Sequence, residues 1–248
     1  MGILFLLAPT VAFGSVSNQP INWGFKRGSN EQPAQAGSQM DQLLAKYGAF
    51  YKSDTQKKTL YLTFDNGYEN GYTPKILDVL KKEKIHAAFF VTGHYLVDKP
   101  ELVKRMVEEG HIIGNHSWHH PDMTAISDAK IREELDSVKI KTTELTGQKE
   151  MKYVRPPRGV FSERTMQVAK EAGYTHVFRS LAYVDWNVNQ QKGAQYAYDR
   201  IMERVHPGAV MLLHTVSKDN ADALEKVIQD LKKRGYQFKG LDDFPLKK

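Results

Sequence analysis

The chain of 248 residues contains no cysteine. Disulfide bonds, thiol nucleophiles and thiolate metal sites are therefore excluded. A chain of this length can bury a core large enough to need no disulfide, even outside the cell. Glycine-rich phosphate loops are missing as well, since neither G-x-G-x-x-G nor G-x-x-x-x-G-K-S/T occurs. The sequence also has no internal repeat and no low-complexity block, so it indicates a single ordinary globular unit.

Positive charge is in modest excess, with 35 Lys and Arg against 29 Asp and Glu and a net charge of +6. Many of the cations stand beside acidic residues in helical segments, as in residues 81–84 (K-K-E-K). Such mixtures are typical of solvated helix faces, so we expect no nucleic acid partner. An anionic cell wall would suit the same charge.

Residues 3–14 form a short apolar run that ends in small residues, the arrangement that a signal peptidase recognises. The run is too short to span a bilayer and is interpreted as the remnant of a signal peptide over residues 1–14, with a buried N-terminal strand as the alternative. This interpretation predicts secretion without stable membrane insertion after signal removal. Residues 15–57 would then be an N-terminal extension that leads into the main domain.

Short apolar, β-prone segments alternate with segments whose apolar residues recur at helical spacing. The first pair is 59–64 followed by 74–82, where Pro74 suits a first helical turn. The later pairs are 87–92 with 100–109, 111–115 with 128–145, 152–154 with 162–172, 176–180 with 195–205, and 209–213 with 221–233, before a last strand at 236–238. This alternation predicts a parallel sheet covered by helices.

A closed barrel is favoured over an open doubly wound sheet, because the open sheet usually carries a glycine-rich phosphate loop at its switch point. We predict an α/β fold, a distorted (β/α) barrel of about seven or eight parallel strands, over residues 58–248. Five polar clusters follow its strands: 65–66, 116–120, 155–159, 185–186 and 212–214. Parallel barrels open their active sites at the carboxyl ends of the strands, so the five clusters are expected to form one site.

His116 and His120 are the first candidates for metal binding, since their i, i+4 spacing brings two imidazoles to one side of a turn. Two histidines at this spacing are also common in structural roles. Asp65 and Asn66, which follow another strand, add oxygen donors. Two His with one carboxylate or amide, and open positions for water, fit metal-assisted hydrolysis. His119 would point away, toward the surface.

Asp65 and His214 are the candidates for acid–base chemistry. Asp65 could cap a turn or serve as a general base, and His214 could be a hydrogen-bonded core group or the general acid. Arg155, stiffened by two prolines, could be a surface cation, or Asp185 could hold its guanidinium in place. Trp186 and Leu212 would form an apolar pocket wall or part of the core.

The five clusters resemble, in order, the five motifs of the NodB-type polysaccharide deacetylases, carbohydrate esterase family 4. The motifs read 63–67 (T-F-D-N-G), 116–120 (H-S-W-H-H), 155–159 (R-P-P-R-G), 185–186 (D-W) and 212–214 (L-L-H), and the resemblance covers about residues 58–240. Members of this family have a distorted β/α barrel and use a divalent metal.

The resemblance also implies residue roles. Asp65 would be the base, and His214 the acid. Arg155 and Asp185 would orient and tune the base. The remaining implied positions are the metal ligands His116 and His120, and a substrate pocket lined by Trp186, Leu212, Pro157 and Gly159.

The chain departs from the family at Asn66, where the first motif usually has a second, metal-binding Asp. Residues 63–72 and 22–27 instead look like the delta-lactam-forming muramic acid deacetylases of spore-forming bacteria. This implies N-acetylmuramic acid in peptide-stripped peptidoglycan as substrate, a spore cortex location and a lactam as the later product. The expected metal is zinc, with cobalt or another divalent ion as candidates, held by His116, His120 and Asn66.

The predicted reaction is hydrolysis of an N-acetyl amide by a monomer acting on glycan strands of peptidoglycan. Two alternatives remain open at this point. One is an esterase for O-acetyl groups on glycans, since the same site could attack either carbonyl. The other is a wall-binding module that has lost catalysis through Asn66.

Overall fold

The structure is a computed structural model that describes residues 16–28 and 30–245. The predicted signal peptide lies outside the described residues. The strands are β1 (Ile21–Asn22), β2 (Thr59–Asn66), β3 (Ala88–Val91), β4 (Ile112–Asn115), β5 (Tyr153–Val154), β6 (Val160–Phe161), β7 (Thr175–His176), β8 (Val210–His214) and β9 (Gln237–Phe238). The helices are α1 (Ser38–Tyr47), α2 (Thr73–Glu83), α3 (Gly93–Asp98), α4 (Pro100–Glu108), α5 (Asp128–Thr146), α6 (Glu163–Glu171), α7 (Ala194–Arg204) and α8 (Lys218–Lys233).

Seven strands form one parallel sheet in the order β7-β5-β4-β3-β2-β8, with β9 paired to the start of β2. Strand β2 is paired on both sides, because Phe64 pairs with Phe89 of β3 on one side and Leu213 of β8 on the other. Beyond β7 the chain returns to β8 through a parallel bridge between Leu181 and Met211. The sheet is therefore curled into a partial barrel, which confirms the predicted fold class.

The two faces of β2 belong to two different cores. Leu62 and Phe64 pack with the helices outside the sheet, whereas Tyr61 packs with Phe90 and Val210 inside the curl. This division follows from the alternation of side chains along a strand. Odd-numbered positions of β2 thus face the interior of the barrel, and Asp65 is the last of them.

The helices begin and end where the sequence offers caps. Ser127, Ser162 and Ser217 each accept a backbone N–H in the first turn of α5, α6 and α8. Gly147 ends α5 in a left-handed conformation, which glycine adopts readily. The caps explain why most predicted helix bounds lie within a few residues of the observed ones.

The N-terminal segment packs against the barrel. Strand β1 pairs antiparallel with β6, and Trp23 donates its backbone N–H to Gly159. Trp23 also stacks on Phe178, with ring centroids 4.5 Å apart. The elements β1, β6, α1 and α3 were missed by sequence reasoning because each is short or lacks an apolar period. The division at residue 57 stays a prediction. None of the helices in the described part of the chain is long and apolar enough to cross a membrane.

Candidate active site

The carboxyl ends of the strands open into a cleft with two arms. One arm has a volume of about 830 Å³ and the other about 620 Å³. Both arms share the same five lining residues, which are Asp65, His116, His120, Trp186 and His214. The structure therefore brings the main predicted side chains together at the junction of the arms.

Asp65 is held from the side by Arg155. The guanidinium donates from Nη1 to Asp65 Oδ1 at 2.7 Å and from Nη2 to Thr63 Oγ1 at 2.8 Å. Its Nε donates to the carbonyl of Val177, and its face lies 4.1 Å from the ring centroid of Phe90. Arg155 is 2% exposed and Asp65 8%, so this is a buried ion pair in which each of the three guanidinium nitrogens donates to the protein.

The ion pair fixes the charge of Asp65. Burial would raise the pKa of this carboxyl, but the positive charge of Arg155, with smaller contributions from His116 and His214, lowers it to about 2. Asp65 is therefore ionised throughout the neutral range. It can accept a proton and cannot donate one.

His214 is held by a different carboxylate. Asp185 Oδ1 lies 2.7 Å from His214 Nδ1, and its Oδ2 accepts the backbone N–H of the same residue at 2.8 Å. Asn220 donates a further hydrogen bond to Oδ2 at 2.6 Å. The sequence-based pairing of Asp185 with Arg155 is thus wrong: Arg155 serves Asp65, and Asp185 serves His214. The Leu181–Met211 bridge explains this, because it brings residue 185 beside the end of β8.

Arg155 and Asp185 shift the pKa values of the base and the acid in opposite directions. Burial would lower the pKa of His214, but Asp185 outweighs this and raises it. His214 therefore keeps its proton to higher pH than an ordinary histidine. A cleft in which the pKa of one group is lowered and that of another is raised has separate base and acid assignments.

His116 and His120 stand face to edge, with ring centroids 4.8 Å apart. His116 Nδ1 lies 2.9 Å from the carbonyl of Arg155, which identifies Nδ1 as the protonated nitrogen and leaves the lone pair on Nε2, 3.6 Å from Asp65 Oδ2. Burial lowers the pKa of both histidines, that of His120 to about 4. Both are neutral at pH 7, as metal ligands must be.

The predicted third ligand occupies a different environment. Asn66 is fully buried, its Nδ2 donates to Thr215 Oγ1 at 2.8 Å, and it lines neither arm of the cleft. Its Oδ1 has no hydrogen-bond partner among the described residues. Over the same residues, no group of three or more His, Asp or Glu side chains is arranged to hold a metal. The two neutral histidines have the chemistry that a divalent ion requires, and Asn66 as a ligand stays a prediction.

The predicted pocket walls are largely in place. Trp186 is half exposed and its ring centroid lies 5.4 Å from that of His214. Leu212 and Gly159 line the smaller arm. Pro157 does not, because it starts a tight turn and Pro156 takes the lining position instead.

The smaller arm carries cations that sequence reasoning missed. Arg27, Arg158 and Arg179 line it together with Trp23 and Phe25. Burial and the neighbouring Arg155 lower the pKa of Arg179, and no acidic side chain in the described part of the chain forms an ion pair with it. The sequence features that belong to this arm are the R-P-P-R-G motif and the aromatic residues Trp23 and Phe25. Only the fold shows that they lie close together.

Comparison with known proteins gives consistent results. Residues 52–177 match the polysaccharide deacetylase family. The chain is 58% identical to the peptidoglycan-N-acetylmuramic acid deacetylase PdaA of Bacillus subtilis over 94% of this chain and 89% of that protein. The solved structure of PdaA, a family 4 carbohydrate esterase, superposes with a TM-score of 0.91 over 92% of this chain and 98% of its own.

Two further relatives extend the comparison. A family 4 carbohydrate esterase structure from Bacillus anthracis is 54% identical, with a TM-score of 0.79, and the match covers 93% of this chain and 98% of that one. A peptidoglycan-N-acetylglucosamine deacetylase of Bacillus cereus is 33% identical over 78% of this chain and 70% of that protein. Sequence motifs, barrel and cleft thus agree, and the chain belongs to the polysaccharide deacetylase family, carbohydrate esterase family 4.

Proposed function

We propose that the protein hydrolyses the N-acetyl group of N-acetylmuramic acid in peptidoglycan. The observation that carries the chemistry is the pair of opposed environments in one cleft: Arg155 lowers the pKa of Asp65, and Asp185 raises the pKa of His214. Hydrolysis of an amide needs a base for the attacking water and an acid for the leaving amine. The relatives named as peptidoglycan deacetylases support the same reaction class.

The mechanism assigns one proton transfer to each pair. Asp65 accepts a proton from the water that adds to the acetyl carbonyl carbon. His214 then donates its proton to the nitrogen as the C–N bond breaks, which releases acetate and the free amine. Arg155 keeps Asp65 in place, since its three guanidinium nitrogens donate to Asp65, Thr63 and Val177.

His116 and His120 would hold a divalent ion, with zinc or cobalt as the ions to test first. Such an ion polarises a carbonyl and stabilises negative charge that develops on its oxygen. The protein itself contributes the neutral charge state of the two imidazoles and their fixed ring orientation. His116 owes its orientation to the hydrogen bond with the carbonyl of Arg155.

The choice of muramic acid over glucosamine is assigned to the basic arm. Muramic acid differs from glucosamine by a lactyl group that ends in a carboxylate, and a cleft lined by Arg27, Arg158 and Arg179 suits that charge. Arg179 is the strongest candidate, because a largely buried guanidinium without an acidic partner gains most from an anionic ligand. In this proposal the freed amine closes on the neighbouring carboxylate to give the delta-lactam of spore cortex, and the enzyme acts outside the cytoplasm, where its glycan substrate lies.

Acetate release from three substrates tests the proposal: peptide-stripped peptidoglycan, chitin oligomers and acetylated xylan. Release from the first alone is expected. Asp65→Asn and His214→Ala should each lower turnover by about two to four orders of magnitude, the usual contribution of one acid or base. His86→Ala, at an exposed histidine outside the cleft, is the control and should keep full activity.

The other outcomes point to the alternatives. Release mainly from xylan would make the protein an O-acetyl esterase. Binding to the glycan without any acetate release would make it a wall-binding module. Near wild-type turnover in either cleft variant would show that the assigned acid or base is wrong.

A further inference from the structure

The loop that carries His116 and His120 has an unfavourable backbone. Ser117 has a φ of 63° and His120 a φ of 57°, although neither is glycine. Left-handed backbone is unfavourable in residues that carry a side chain and persists only where the surroundings enforce it. The loop therefore needs external support to keep both imidazoles at the junction of the cleft.

The support comes from one buried carboxylate on α5. Glu134 Oε2 accepts the backbone N–H of His119 at 2.7 Å, and Oε1 lies 2.7 Å from His119 Nδ1. The Glu134 side chain is 1% exposed, while the ring of His119 is 65% exposed. Both oxygens of this buried carboxylate thus contact His119, the residue directly before His120.

The neighbouring contacts connect the same helix to the rest of the loop. Ser117 donates its N–H to Asn115 Oδ1 at 2.9 Å, and Asn115 Nδ2 donates to the carbonyl of Leu135 at 2.8 Å. The N–H of His120 donates to Ser117 Oγ at 3.0 Å. Helix α5 therefore holds both ends of the left-handed stretch, and Glu134, with Lys130 3.5 Å from its Oε1, is the carboxylate of this network.

We propose that Glu134 is a positioning residue: it fixes the backbone at His119 so that His120 and His116 face the same point in the cleft. The inference rests on the proposed metal-binding role of these two histidines. Glu134 touches neither substrate nor ion in this scheme. Its role is to hold in advance a loop conformation that a free chain would rarely adopt, so that metal binding does not have to supply that energy.

The test measures divalent metal binding by the metal-stripped, folded protein, by cobalt titration with its visible absorption spectrum and by zinc competition with a chelating dye. Glu134→Ala removes both contacts and should weaken affinity by about tenfold to a hundredfold, as is usual for groups that orient ligands. The d–d band of bound cobalt should also change, since its intensity follows the coordination geometry. A purely structural residue would lower stability without moving either quantity in the folded protein.

Three further variants sharpen the comparison. Glu133→Ala is the matched control, because Glu133 sits beside Glu134 on α5, also contacts Lys130, and is exposed. Its affinity should equal wild type. Glu134→Gln keeps the acceptor for the His119 N–H without the charge and should show an intermediate loss. His119→Ala keeps the backbone contact and should lose less than Glu134→Ala.

The outcomes distinguish a wrong metal assignment from a wrong role for Glu134. If wild type shows no saturable metal binding, the metal assignment fails and this inference fails with it. If wild type binds but Glu134→Ala and Glu134→Gln both match Glu133→Ala, the inference alone is overturned. Should Glu134→Ala not fold, the order of wild type, His119→Ala and Glu134→Gln decides the question.

Discussion

Removing one partner of the ion pair between Arg155 and Asp65 should destabilise the fold strongly. Replacing Arg155 with Met leaves the Asp65 carboxylate buried, with His116 at 3.6 Å as the nearest positive group when protonated. At an effective dielectric constant near 20, two charges about 4 Å apart interact by about 4 kcal/mol. Breaking one partner of a buried pair costs about 3–5 kcal/mol, so the free energy of unfolding of Arg155→Met should fall by that amount.

The double variant carries the decisive comparison. Asp65→Asn removes the charge that Arg155→Met leaves unpaired. The losses of unfolding free energy in the two single variants should therefore not add in the double variant. The coupling energy is expected at the upper end of the 0.5–3 kcal/mol seen for residues in contact. A second cycle, Arg155→Met with Asp185→Asn, should be nearly additive, because Asp185 bonds to His214 and Asn220 instead.

Urea unfolding at pH 7, followed by far-ultraviolet circular dichroism, gives the four free energies of each cycle. The m-values should stay constant, which shows that the variants unfold from a comparable native state. Equal coupling in both cycles, or stronger coupling between Arg155 and Asp185, would refute the separation of the site into two independent pairs.

Three other predictions concern activity and binding. Asp185→Asn removes the carboxylate that raises the pKa of His214, so the acid form is lost at lower pH and the alkaline limb of the kcat/KM profile should move down in pH; an unmoved limb would exclude His214 as the acid. Arg179→Gln should raise KM for peptide-stripped peptidoglycan and leave the muramic carboxyl methyl ester, already a poor substrate, unchanged; equal effects on both would remove the carboxylate contact. Asn66→Asp should tighten zinc or cobalt binding while activity falls or stays level, because a carboxylate partly neutralises the ion; unchanged affinity would mean that Asn66 is not a ligand.

The sequence was sufficient to predict which strands end in polar groups. The buried run before Asp65 and the four apolar residues before His214 each identify a strand, and parallel strands bring their carboxyl ends together. This is why Asp65, His116, His120 and His214 could be predicted to share one cleft. The prediction depends on the spacing of apolar residues, which is a local property of the sequence, and on the parallel arrangement of strands, which is common to the fold class.

The residue patterns alone could not identify the partners of these groups, because the partners depend on which strands are neighbours. The family resemblance assigned both Arg155 and Asp185 to Asp65, whereas Asp185 contacts His214. Arg155 reaches Asp65 across the interior of the curl from β5, although β3 and β4 separate the two strands in the sheet. Asp185 meets His214 only through the bridge near residue 181. Glu134 lies in an ordinary helical period, and its sequence gives no sign that its carboxylate is buried.

The short elements of the N-terminal segment were missed for a different reason. Strand β1 has two residues and takes its stability from β6, which is equally short. Neither carries a period that a sequence window can detect. Their pairing is a tertiary contact, and propensity is a weak guide where the contact decides the conformation.

Because the N-terminal segment is attached from outside, the shape of the substrate cleft and the reaction chemistry depend on different parts of the chain. Trp23 and Phe25 supply one wall of the smaller arm from outside the barrel, held by β1 and the Trp23 contacts. The acid, the base and the two imidazoles stand on strands or loops with their own core and hydrogen bonds. Evolution, or an engineer, can therefore replace this wall to accept a different sugar substituent while the reaction chemistry behind it is inherited intact.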